Sequence, residues 1–101
     1  MDAQYKKGVL DLCVLSQLLK GDKYGYELTE VISKELEITA GTLYLVLKRM
    51  KDSGYLETYL VESSSGPARK YYRLTENGKE FYKEKKKEWL GFVNKIERLI
   101  G

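Results

Sequence analysis

"ITAGTLYLVLKRM", Ile38 to Met50, is the stretch that decides how this chain is read. At 100° per residue, Leu43, Val46, Leu47 and Met50 gather on one face of a helix, and Gly41, Leu45, Lys48 and Asp52 gather on the opposite one. Thr42 and Arg49 flank that outer face on one side, Tyr44 and Lys51 on the other. Thr39 suits the N-cap, because its hydroxyl can accept a hydrogen bond from a backbone N–H two or three residues on. The pattern is strong except at Gly41, in the first turn, where glycine costs about 1 kcal/mol relative to alanine. The missing side chain is expected to make room for something.

Towards the N-terminus, "KGDKYG" breaks the chain and a second helix is predicted from near Tyr24, with Leu28, Val31, Ile32 and Leu36 on its inner face and Glu27 and Glu30 outside. Before it, Lys7 to Lys20 is apolar around nearly the whole circumference of a helix. Such a helix is buried on more than one side, and in so small a domain the excess suggests a second subunit. Cys13 lies in that run and reads as a buried small hydrophobe.

Towards the C-terminus, Gly54 is a reasonable helix stop, and the period then changes. "YLETYLVE" and "RKYYRL" read as strands, with the turn chemistry of "SSSGPA" between them: a β-hairpin with a flexible tip. Alternation puts Tyr72 and Leu74 inside and Tyr71 and Arg73 on the other face. From Thr75, an N-cap followed by Glu76 in the first turn, the chain returns to helix. Tyr82, Trp89, Val93, Ile96 and Ile100 form a stripe with nearly coiled-coil spacing, broadened by Phe92 and Leu99. Such a helix is roughly 35–40 Å long at 1.5 Å per residue, more than this domain can cover.

The expected fold is therefore mainly α with a small β-hairpin. Residues 1–74 form a winged helix-turn-helix, and residues 75–101 a long C-terminal dimerisation helix, within one compact unit. With 101 residues there is room for one domain. No apolar run approaches the 18 or so residues of a membrane span, and "MDAQYKKGVLDLCVL" lacks the basic start and cleavage site of a signal peptide, so a cytoplasmic protein is expected. The absence of histidine removes the commonest general base and metal ligand, and a single cysteine permits no intrachain disulfide or cysteine-rich metal site. No catalytic constellation, metal site or cofactor is expected. The net charge of +3 permits a polyanionic partner without demanding one.

Three blocks in order, "KYGYEL" (Lys23–Leu28), "TAGTLYLVLKRMKDSGYLE" (Thr39–Glu57) and "GPARKYYRLTENG" (Gly66–Gly78), resemble the PadR family of bacterial transcriptional regulators. They match its opening of helix two, its Gly-Thr-Leu-Tyr recognition helix and its wing strand, and the resemblance runs from about Lys7 to Leu99. Tyr24 stands where family members often have His, and Ala40 where they often have Pro. The single C-terminal helix is similar to that of the short subgroup, which dimerises through it. The resemblance implies a homodimeric repressor that binds double-stranded DNA at a near-palindromic operator and lets go when a small molecule binds. Two recognition helices about a two-fold axis read half-sites roughly 34 Å apart.

In that frame Lys48 and Arg49 are the leading phosphate or base contacts, Arg49 being suited to a bidentate guanine. Thr42 and Tyr44 bring hydroxyls to phosphate oxygens. Leu45 reads equally as a contact to a thymine methyl or as a plain surface leucine. Thr39 and Gly41 complete the helix end, where free N–H groups and the dipole attract anions, and Gly41 reads as clearance for a phosphate or base edge. In the wing, Ser64 and Ser65 supply small donors and Arg69 and Lys70 charge for backbone contacts. Tyr24 reads either as a phosphate donor or as packing against the hairpin. "KEKKKE" (Lys83–Glu88) is expected to be a solvated face with i,i+4 pairs and no DNA role.

The dimer interface is expected to use Leu12, Tyr82, Trp89, Phe92, Val93, Ile96, Leu99 and Ile100. Trp89 reads either as interface packing or, with Leu12, Leu15 and Val93, as a platform for a planar aromatic effector, as the pore between subunits of short PadR-like proteins implies. From a different class, a winged-helix protein–protein interaction module without DNA binding stands as the alternative.

Overall fold

The third helix forms where the pattern places it. In the structure, a computed structural model describing residues 3–101 with side chains from Gly8 onward, α3 spans Ala40–Asp52. Met1 and Asp2, part of the N-terminal stretch read above, lie outside the described residues. Thr39 caps α3 by accepting the Thr42 N–H at 3.3 Å, and Leu43, Val46, Leu47 and Met50 are buried. The helix ends where Gly54 takes φ +84°, with Tyr55 N–H donating to the Met50 carbonyl. That left-handed turn favours glycine.

Before it come α1 (Ala3–Leu19), a two-residue strand β1 (Lys23–Tyr24) and α2 (Gly25–Leu36). Leu10, Val14, Leu15 and Leu18 of α1 enter the core, while Val9, Leu12 and Cys13 are half-buried. Half-burial pushes the Cys13 thiol above its ordinary value. In α2 the buried set is Gly25, Leu28, Thr29 and Ile32. Val31, expected inside, is 47% exposed. The stripe at 25, 28, 29 and 32 follows the i, i+3, i+4, i+7 spacing of one helix face and leaves Val31 off it.

After α3 the chain runs through β2 (Leu56–Ser63) and β3 (Gly66–Leu74), and β1 pairs on the far side of β3, so the sheet is three-stranded and antiparallel in the order β1-β3-β2. β1 was not expected, because two residues carry no periodicity. Its register sets Lys23 opposite Tyr72 and Tyr24 opposite Tyr71. Between β2 and β3, Leu56 faces Leu74, Tyr59 faces Tyr71 and Val61 faces Arg69. The turn is narrower than the six residues of "SSSGPA". Ser63 pairs with Gly66 after an irregularity beyond Val61, leaving Ser64 and Ser65 to make the turn, so that Gly66 to Ala68 belong to β3. Tyr72 and Leu74 point into the core as expected. Gly25 makes room for Tyr72, whose Cε2 lies 3.0 Å from where a Cβ at Gly25 would be.

α4 (Glu76–Ile100) is capped by Thr75, whose Oγ accepts the Gly78 N–H at 3.0 Å and donates to the Gly54 carbonyl at 2.7 Å. Gly78 presses on the backbone of the α3–β2 connection: a Cβ there would stand 2.1 Å from the Tyr55 carbonyl oxygen. One turn on, Phe81 stacks on Tyr55 with ring centroids 4.0 Å apart. Beyond this docking the helix runs along α1 and out of the domain, in a molecule 55 Å long and 29 Å by 21 Å across. Leu90, Phe92, Ile96, Leu99 and Ile100 are exposed on it, Leu99 by 82%. Among the described residues no helix is long and apolar enough to cross a membrane.

Candidate nucleic-acid interface

Burying Leu43, Val46, Leu47 and Met50 fixes which side of α3 faces outwards. Gly41, Thr42, Tyr44, Leu45 and Lys48 are all exposed, Leu45 by 70%. The hydroxyls of Thr39 and Thr42 are 2.9 Å apart, so the helix opens on two linked hydroxyls beside its free N–H groups. Among the described residues nothing lies within 4 Å of a Cβ placed at Gly41. No contact among the described residues asks for glycine there.

Lys48 Nζ lies 2.9 Å from Asp52 Oδ2, one turn on, with both side chains largely exposed. The hydrogen bond, and then the charge, raise the Lys48 pKa and lower that of Asp52. The pair is open to solvent and exchangeable, so it leaves the ammonium available to a stronger anion. Arg49 is placed otherwise than expected. Its guanidinium grips Asp11 of α1 through Nη2–Oδ1 at 2.5 Å and Nη1–Oδ2 at 3.3 Å, and its side chain keeps 41% exposure. A guanidinium forked on one carboxylate does not present the same fork to a guanine.

In the wing, Ser64 and Ser65 form the tip and Lys70 is exposed without an ion pair among the described residues. Arg69 lies over the Tyr24 ring, 5.1 Å from its centroid. The outer face of the sheet is a ladder of cross-strand partners: Arg73 Nε donates to Glu57 Oε1 at 2.8 Å, and the Tyr59 and Tyr71 rings stack at 5.6 Å. Tyr24 adjoins Tyr71 at 6.0 Å, which is the packing reading of that residue. Tyr59 donates its hydroxyl to Asp22 at 2.7 Å, a bond that, together with desolvation and the Asp22 charge, raises the phenol pKa. Such pairs stiffen a strand ribbon that a two-stranded hairpin alone would leave loose.

Away from this surface, Gly8, Val9 and Leu12 of α1 and Lys85, Glu88, Trp89 and Phe92 of α4 line an open groove of about 290 Å³. Trp89 and Leu12 thus come together as expected. Leu15 does not join them: about 60° round the helix from Leu12, it is wholly buried with Val14 and Leu18 in the core. Val93 is half-buried and outside the lining residues. Tyr82 packs on its own domain's core, with Lys86 above the ring. In the "KEKKKE" region the ion pairs are Lys83–Glu80 and Lys85–Glu88, at i,i+3 spacing rather than i,i+4.

Residues 14–84, from α1 through the sheet into α4, match the Transcriptional regulator PadR-like family. The chain belongs to that family. A protein of Lysinibacillus sphaericus described only as uncharacterised is 39% identical over 87 residues, 82% of this chain and 80% of that one. The PadR family transcription regulator of Clostridium difficile is 38% identical, with a TM-score of 0.81 over 91% of this chain and 98% of its own. The PadR-like regulator of Bacillus cereus is 35% identical, with a TM-score of 0.85 over 97% of each. The chain is therefore a winged-helix DNA-binding transcriptional regulator of the PadR-like family and not an enzyme.

Three features of the fold that carries this surface are not legible in the local pattern. The Asp11–Arg49 fork joins residues 38 apart, the Tyr24–Tyr71–Tyr59 row depends on strand register, and Gly78 depends on where Tyr55 falls. Asp11, a lone acid within "VLDLCVL", was the one available signal for the first.

Proposed function

We propose that this chain is a homodimeric repressor that reads a near-palindromic operator with α3 in the major groove and the wing on the backbone, and that a small, planar aromatic molecule releases it. The observation that carries the reading is the outer face of α3. Hydroxyls, an exchangeable ammonium and an exposed leucine stand around a glycine whose missing side chain makes room for nothing among the described residues. Thr39, Thr42 and Tyr44 donate to phosphates, Lys48 to a phosphate or base edge, and Leu45 meets a thymine methyl. Ser64, Ser65, Arg69 and Lys70 hold the flanking backbone. Arg49 is left out of the contact set because Asp11 already occupies its fork.

Residues 1–74 do the reading and residues 75–101 the pairing. Support for the second part comes from α4, whose exposed Phe92, Ile96, Leu99 and Ile100 lie on the half of the helix beyond the domain. An apolar seam of that kind is stable in water when a second copy covers it. The groove between α1 and Trp89 is open on one side, and a partner's Trp89 would complete a slot for a flat ring. Such a protein works where the chromosome is, in the cytoplasm.

The test is fluorescence-anisotropy titration of a labelled duplex pool at several salt concentrations, with sedimentation equilibrium on the same sample. The expected result is a dimer whose affinity falls steeply with salt, since neutralising phosphates releases counterions. A chain without affinity for any duplex, joined instead to a protein partner in a salt-insensitive complex, would replace this reading with that of an interaction module.

A further inference from the structure

Asp11 is an acid where the fold has least use for one. It lies in α1 between Leu10 and Leu12 and is only 5% exposed. Both its oxygens are taken by the two terminal nitrogens of Arg49, on α3. A carboxylate so buried is tolerable only while that guanidinium neutralises it.

What the pair adds to α3 is direction. The apolar face of Leu43, Val46, Leu47 and Met50 sets the depth of the helix in the core, but apolar contact is non-directional and resists rolling or sliding weakly. A two-point fork accepts one angular relation between the helices that carry it. Arg49 follows Lys48 directly and lies one turn after Leu45, so the fork is attached beside the residues that would meet the bases. Those residues discriminate only if α3 lies in the groove at a fixed roll and tilt.

We infer that Asp11 and Arg49 are a positioning pair that sets the pose of the recognition helix, so that sequence discrimination depends on a buried carboxylate that cannot itself reach DNA. This rests on the reading of α3 as the helix in the groove. So held, Arg49 touches neither phosphate nor base, and its charge is already neutralised by Asp11. Its loss therefore leaves the number of released counterions unchanged.

The experiment begins with the wild-type 101-residue chain and the duplex it enriches from a random pool. Enrichment of no duplex would remove the reading of α3, and this inference with it. With an operator in hand, the variants judge the pair alone. Asp11→Asn, Arg49→Met and the double variant Asp11→Leu/Arg49→Met are compared for affinity to operator and to scrambled duplex across a salt series, with thermal unfolding alongside. Each is expected to lower the operator-to-scrambled ratio about tenfold, the size of one mismatched base pair. The salt slope of Arg49→Met and of the double variant stays at the wild-type value. Asp11→Asn, which leaves a free guanidinium, is judged on the ratio alone, and the double variant discriminates no worse than the singles.

The double variant removes both charges together and so avoids the stranded charge that destabilises a single replacement. Regained stability without regained discrimination separates positioning from mere support. Lys48→Ala, as a control, is expected to reduce the slope by about one. The inference is overturned if Arg49→Met lowers the slope by about one while Asp11→Asn keeps the ratio, which would make Arg49 a DNA contact. It is also overturned if the double variant recovers the wild-type ratio, or if none of the three changes it.

Discussion

Replacing Gly41 by alanine is expected to make the protein more stable and worse at binding DNA. Gly41 is the second residue of α3, its backbone is ordinary helix, and a methyl group there meets no atom of the described residues within 4 Å. The folded state therefore loses nothing, while the unfolded chain gives up glycine's extra freedom, a gain of about 0.5–1 kcal/mol. In a chain of this size that raises Tm by roughly 2–8 °C. On the DNA side the same methyl stands between the helix and the groove, one turn ahead of Leu45 and Lys48. Displacing one good contact costs about 1–3 kcal/mol, roughly 5- to 150-fold in Kd. Gly41→Val, bulkier and β-branched, is expected to bind worse again with less gain in Tm. Thermal unfolding by circular dichroism and operator binding by anisotropy, at one fixed protein concentration because a dimer's Tm depends on it, read the two effects separately. A Gly41→Ala variant that gained stability and bound the operator as tightly as the wild type would refute the clearance argument.

Gly78→Ala is the opposite case: with its Cβ 2.1 Å from the Tyr55 carbonyl oxygen, α4 must move, and urea unfolding is expected to show a loss of about 1–3 kcal/mol or more. Leu15→Ala, in the middle of the core, is expected to cost about 2–5 kcal/mol in the same assay. Asp52→Asn frees Lys48 from its exposed partner and should strengthen duplex binding a few-fold at low salt, an effect that disappears as salt is raised. Acid should act in the same direction. The pair's contribution is present above the ordinary aspartate pKa and is lost as pH falls through the lowered value that Lys48 gives Asp52, and the Asp52→Asn variant should not share that pH dependence. Leu99→Asp, on the most exposed apolar residue of α4, should shift the dimer to monomer in sedimentation equilibrium while leaving the unfolding of the winged-helix core cooperative.

The helices were legible because they are periodic. Thr39 and Thr75 announced their caps, Gly54 its turn, and the alternation in "RKYYRL" put Tyr72 and Leu74 inside. The errors fall where the outcome depends on another part of the chain. Val31 has the right residue type for a core but lies off the stripe that α2 buries, and Leu15, on the same side of α1 as Leu12, sits wholly in the core and not in the groove beside Trp89. Arg49 is exposed, as the wheel places it, and the pairing of its guanidinium with Asp11, 38 residues away, is what a local window does not show. A short strand such as Lys23–Tyr24 exists only because β3 offers it an edge. On the outer face of α3, by contrast, Gly41, Tyr44, Leu45 and Lys48 could be placed from one helix alone, because what points away from the core is fixed by what points into it.

Recognition by α3 is tested most simply by selection of bound duplexes from a random pool with the 101-residue chain. Recognition by two copies of α3 about a two-fold axis predicts enrichment of a near-palindrome whose half-site centres lie about one helical turn, roughly 34 Å, apart. Enrichment of a single unrepeated site, or of no sequence at all, would contradict it.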